Sequence, residues 1–180
     1  MINNMLLSLG LFVLSFDFCC AQSFSIKNDR QLHTVTFSNR TIKFVLNYDH
    51  ECRVSNMEVN GQKVIDSSTG IYSEIKTADK TFSTLKLTNQ PFVTVTGNSV
   101  NISGINHGGD EIEIRESWKF LVSDTGVQFT IVRNCSKAFR AESVSFPAIE
   151  FNDINTWEGA FQGFGGIAWF YLFNEKLFGH

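Results

Sequence analysis

The sequence predicts an all-β fold, an antiparallel β-sandwich, and three observations carry that prediction. Short segments alternate apolar and polar side chains, the period of a strand with one face in the core and one in water, and Gly, Asn, Asp and Ser punctuate them. Helical periodicity is almost absent. The 180 residues include 18 Phe against 2 Pro, and aromatic side chains suit a pleated, half-buried surface. Strand after strand at short intervals favours antiparallel neighbours over a parallel sheet, whose crossovers need helices.

Length and composition bound the function. A chain with 43% hydrophobic and 18% charged residues is of ordinary globular composition and long enough for one domain with a real core. Its formal net charge of -3 supplies no basic field for phosphate, which argues against nucleic acid as a partner.

Residues 1–21 read as a signal peptide. Leu6 to Phe16 is an apolar run without charge, too short for a membrane span, and Cys19-Cys20-Ala21 offers small residues for cleavage after Ala21. No Lys or Arg precedes the run, and Asp17 intrudes near its end. A lipid-anchored product through Cys19 or Cys20 is the rival, but Phe and Asp stand just before these cysteines where small or aliphatic residues are wanted. The expectation is a secreted or periplasmic protein whose β-sandwich domain spans 22–180, with no transmembrane span in its mature form.

Cys52 and Cys135 are then the remaining cysteines. Export permits a disulfide between them, but sequence cannot show that their α-carbons come close enough, and two separate buried thiols are the plainer reading. No CxxC or His-x-x-x-His spacing suggests zinc, and no P-loop, dinucleotide fingerprint or nucleophile elbow occurs. No metal or cofactor is expected.

In chain order, His33 to Phe37 and Thr41 to Tyr48 form a hairpin about Asn39-Arg40, with Ile42, Phe44, Leu46 and Tyr48 on one face. Asp49-His50-Glu51 reads as a solvated turn, because adjacent turn residues point different ways and make poor acid-base partners. Val54 to Val59 and Gln62 to Ile65 flank Asn60-Gly61, the pair that accepts the positive φ of a type I′ turn. Gly70 to Ile75, Ser83 to Leu87, Phe92 to Thr96 and Ser99 to Ile105 continue the series, and Thr94, Thr96 and Asn98 mark a solvated face. Asn106 to Glu111, with two glycines and His107, reads as a plain connecting loop, since a lone imidazole without a second ligand at fixed spacing is weak evidence for a site.

The centre of the chain is the hairpin Ile112 to Arg133. Its first arm alternates Ile112, Ile114, Glu116, Trp118, Phe120 and Val122 with polar residues. If Ser123-Asp124-Thr125-Gly126 closes the turn, with Gly126 at positive φ, Val122 meets Val127, Phe120 meets Phe129, Trp118 meets Ile131 and Glu116 meets Arg133. A lone charge on that apolar face would cost several kcal/mol. Glu116 and Arg133 are therefore expected to satisfy each other, as a structural ion pair at the rim of the core or as the lining of a sugar-binding cleft.

The end of the chain changes character. From Glu150 to Glu158, acids and amides surround Trp157, and a Gly- and Phe-rich run leads to Ile167 to Phe173, apolar on both faces as a strand buried between layers would be. Flat rings beside carboxylates can stack on a pyranose while oxygens take its hydroxyls. Asp153, Trp157, Glu158 and Trp169 are the candidate carbohydrate-binding residues, with core packing the plainer role for the two indoles.

Taken together, VNGQKVIDSSTGIYSEI, IRESWKFLVSDTGVQFTIVRNCSKAF and FPAIEFNDINTWEGAFQGFGGIAWF resemble the amino-terminal β-sandwich of secreted bacterial glycoside hydrolases with an (α/α)6-barrel catalytic domain. That resemblance implies a galactose-mutarotase-like supersandwich, here incomplete at the C-terminus. It also implies that the catalytic carboxylates lie in a barrel absent from this chain, so no catalytic residue is assigned. Mutarotases use a His and a Glu inside the sandwich; His107 and Glu116 are present but sit in no matching motif. The expected function is a non-catalytic module of a carbohydrate-active enzyme in polysaccharide breakdown, its partners an oligo- or polysaccharide and the catalytic barrel. The alternatives are a stand-alone carbohydrate-binding module and a mutarotase-, epimerase- or lyase-like enzyme on the same fold.

Overall fold

The computed structural model describes residues 24–65, 68–109 and 111–150, together with the backbone of 160–164 and 168–172. The described residues form an all-β antiparallel sandwich. The larger sheet runs β1 (Ser25–Asp29), β2 (Thr34–Ser38), β3 (Ile42–Asn47), β4 (Arg53–Val59), β6 (Ile71–Lys76), β12 (Ser143–Ile149). Short strands flank it: β5 (Gln62–Lys63) on β4 and β7 (Thr81–Ser83) on β6. The second sheet runs β11 (Val127–Cys135), β10 (Ile112–Val122), β9 (Ser99–Gly109), β8 (Phe92–Thr96). A further ladder joins β13 (Ala160–Phe164) and β14 (Ala168–Leu172).

The hairpin register follows from alternation. On β10 and β11, Val122 pairs with Val127, Phe120 with Phe129, Trp118 with Ile131 and Glu116 with Arg133, an in-phase register that puts the apolar set of both strands on one face. The turn differs from expectation. Gly126 is not among the positive-φ residues; the Ser123 hydroxyl accepts the Gly126 N–H (3.2 Å) and the Ser123 N–H donates to the Gly126 carbonyl (2.9 Å). A side chain thus closes the loop that glycine was expected to close. At Asn60-Gly61 the expected conformation is present, with φ of 52° and 78°.

The two sheets pack face to face. Phe37 on β2 stacks on Phe44 of β3 (4.2 Å), and both meet Phe120 of β10, which in turn stacks on Phe129 of β11 at 4.3 Å. Val35, Leu46, Val54, Val100, Ile102 and Trp118 complete this core. A second, smaller cluster gathers Ile75, Phe82 and Ile114. Between the two clusters the inward positions are polar, Ser73 on β6 and Glu116 on β10.

Two expectations differ from the structure, and the open question of the cysteines is answered. The strand placed at Ser83 to Leu87 ends at Ser83, where the Ser83 hydroxyl accepts the Leu85 N–H, a local bond that competes with a ladder. Asn106 to Gly109 is strand, paired with β10 through His107 to Ile114 and Gly109 to Ile112. Cys52 and Cys135 are not bridged: Cys52 is buried in the main core, its N–H bonded to the Thr84 carbonyl, whereas Cys135 is exposed at the end of β11. β1, β12 and β13 carry no signal that singled them out. The signal peptide, Asp153, Trp157 and Glu158 lie outside the described residues. So does the side chain of Trp169, whose backbone pairs with Gly163.

Candidate functional site

Among the described residues, chemistry-bearing side chains gather in a sealed cluster and, elsewhere, in an open cleft. The sealed one exists because of a bulge. Across β10, Trp118 pairs with Ile102 but Glu116 pairs with Ile105, so Ser103 and Gly104 together oppose Ser117. Gly104 takes φ of 71°, the left-handed conformation that costs glycine little. Up to the bulge the inward residues of β9 are Val100 and Ile102; beyond it they are Ile105 and His107. One extra residue therefore turns His107 from the solvent face into the core, diagonally beside Glu116.

Glu116 is the hub of what results. Its Oε1 accepts from Ser73 Oγ (2.7 Å) and Arg133 Nε (2.5 Å) and lies 3.2 Å from His107 Nε2; its Oε2 accepts from Trp118 Nε1 (2.8 Å). Arg133 Nη2 also donates to the Ser73 hydroxyl and to the Ser145 carbonyl on β12 (3.2 Å). The cluster joins β9, β10 and β11 of one sheet to β6 and β12 of the other. Burial raises the Glu116 pKa, but the hydrogen bonds from His107, Trp118 and Ser73 and the charge of Arg133 outweigh it and hold the group at about 2. An ionised carboxylate only accepts, so His107 carries its proton on Nε2 toward Glu116. His107 Nδ1 is buried without a hydrogen-bond partner. The side chains of His107 and Glu116 are 1% and 0% exposed.

That geometry decides the chemistry available. A carboxylate with both oxygens saturated and no solvent path is a poor general base, since a base must reach the proton it removes. The cluster is an ionic clasp between sheets. Cys52 lies near enough that Glu116 and Glu51 add to the effect of burial, which pushes its thiol well up and leaves it unreactive.

The open place is a cleft of about 560 Å³ where the β1–β2 turn meets the start of β8. Asn28, Arg30, His33, Tyr48, Gln90 and Phe92 line it. The turn is built by Asp29, whose Oδ1 accepts the N–H groups of Gln31 and Leu32, both at 3.1 Å, and it ends at His33 with φ of 49°. His33 meets the Tyr48 ring edge-on at 5.6 Å and sits 3.5 Å from Asp49 Oδ1. Tyr48 donates to Asn28 Oδ1 at 2.9 Å, and burial raises its pKa, against the opposing charge of Arg30, so it stays a donor. Phe92 is 72% exposed.

Sequence reading singled out Glu116 and Arg133, which the fold brings together, and left His107 in a loop. The readable sign was Gly104 inside an apolar strand pattern, a mark of bulges. It did not find the open cleft. The sign there was Phe92 in phase with Thr94 and Thr96, an aromatic on a polar face.

The chain matches no protein-family model, no curated protein and no solved structure. Among the described residues, no group of three or more His, Cys, Asp or Glu side chains could hold a metal, and no helix is long and apolar enough to cross a membrane.

Proposed function

We propose that the chain is a non-catalytic β-sandwich module of a secreted carbohydrate-active enzyme, a glycoside hydrolase whose catalytic carboxylates lie in a separate (α/α)6 barrel. The observation that supports this most directly is the burial of His107 and Glu116. This His and Glu inside the sandwich, which sit in no mutarotase motif, are committed to holding the sheets together and are closed to a sugar. The resemblance of strand pattern to the galactose-mutarotase-like supersandwich supplies the rest. A second reading, a stand-alone carbohydrate-binding module, is favoured by the open cleft with its exposed Phe92.

Affinity electrophoresis of the protein against a panel of plant and host polysaccharides, run beside reducing-sugar and polarimetric assays on the same panel, tests the proposal. Retardation by at least one polysaccharide without turnover is expected. Turnover of any sugar that disappears on Glu116→Gln or His107→Ala would overturn the non-catalytic assignment.

A further inference from the structure

We propose that the cleft between the β1–β2 turn and β8 binds an anionic pyranose unit of a glycan, one carrying a uronate carboxylate or a sulfate ester. The inference rests on the carbohydrate reading above and names the ligand class and the site. Its first support is Phe92. Val93 and Val95 of β8 pair with Ile102 and Val100, inward residues of β9, so Phe92, opposite Ser103, faces outward with Thr94 and Thr96. A phenyl ring left 72% exposed on a polar strand face forgoes most of the stabilisation that burial would give it. The ring lies beside the bulge glycine, where a Cβ on Gly104 would come 3.4 Å from Phe92 Cδ2. The bulge that turns His107 inward thus also borders an outward aromatic platform, and the apolar C–H face of a pyranose is the complement of such a platform.

The second support is charge. Arg30 is exposed and makes no ion pair with a described residue. The nearest acids are otherwise engaged, Asp29 with the N–H groups of its own turn and Asp49 beside His33, and neither lines the cleft. A guanidinium without a carboxylate presents a planar fork matched to a carboxylate or sulfate. Asn28, fixed by Tyr48 through its oxygen, keeps its amide N–H groups to donate, and Gln90 adds a second amide for sugar hydroxyls. The volume lies within the range of small-ligand sites.

Isothermal titration of the full chain with tetragalacturonate, its fully methyl-esterified form and a sulfated galactan tetrasaccharide tests this. Tetragalacturonate, the sulfated ligand or both are expected to bind, tetragalacturonate about tenfold more tightly than its ester if the anion is a carboxylate. Arg30→Ala should remove that preference, and Phe92→Ala should weaken every ligand by about fivefold or more. Both residues are exposed, so both variants should keep the native circular dichroism. Equal affinity for charged and neutral ligands, or binding untouched by both substitutions, would overturn the site. If the polysaccharide panel retards the protein while these ligands or variants show no effect, the cleft assignment falls and the carbohydrate reading stands. If no glycan of any kind binds, both fall.

Discussion

Glu116 shows how one carboxylate can be both costly and necessary. Its folded pKa of about 2 lies below the ordinary 4.5, so its contribution is fully present above pH 4.5 and is lost as pH falls through about 2. The shift corresponds to roughly 3 kcal/mol, the same order as leaving a buried partner charge unpaired. Glu116→Gln should therefore lower urea-unfolding stability at pH 7 by roughly 3 kcal/mol and flatten the stability profile between pH 4.5 and 2. Superimposable profiles for the two proteins would contradict the clasp. The thiols provide a second residue-scale check. Mass-spectrometric mapping of an alkylating label should find Cys135 modified in the native protein and Cys52 only after denaturation, since one is exposed and the other sealed with a raised pKa. Labelling of Cys52 at the native-state rate of Cys135 would mean that the core is open. Sequence found Glu116 and Arg133 because both sit in phase on an apolar face; it could not find Ser73 or His107, whose partnership with them crosses sheets or depends on the bulge.

At the scale of the strand, Gly104 is the element that sets the phase of β9. An alanine at φ of 71° carries strain of about 1 kcal/mol or more, although its Cβ would make only ordinary contact with Phe92. Gly104→Ala should lower the thermal midpoint measurably, while Gly126→Ala, at a position without positive φ and with nothing within 4 Å, should stay within about 0.5 kcal/mol of wild type. Equal costs at the two glycines would contradict the assignment of the bulge. The hairpin β10–β11 was legible because alternation runs unbroken on both arms around a polar turn. β9 was legible only to Ile105, because a bulge reverses which parity faces the core and a fixed period cannot anticipate the reversal.

For the molecule as a whole, the layers are held by aromatic rings crossing from one sheet to the other. Phe120 touches Phe37, Phe44 and Phe129, so Phe120→Ala removes the centre of that contact and should cost about 3–5 kcal/mol in denaturant unfolding. A loss below about 1 kcal/mol would mean the sheets do not close over this ring. The polar layer of Glu116, Ser73 and Arg133 divides the apolar core in two and ties the sheets together across that division. The open cleft arises at this scale too, since a turn near the start of the chain and a strand some sixty residues later make it together.

The order of apolar and polar residues was enough to determine that this chain forms antiparallel strands in layers, the register of its central hairpin, and the meeting of Glu116 with Arg133. Those are local matters, settled by which side chains a pleated strand turns toward water. The tertiary structure alone decided that His107 enters the core, that Ser73 bridges the sheets, that Cys52 and Cys135 stay apart, and that Arg30 and Phe92 share a cleft. Each of these depends on how two sheets stack and where one strand bulges, and a period of two carries no information about either.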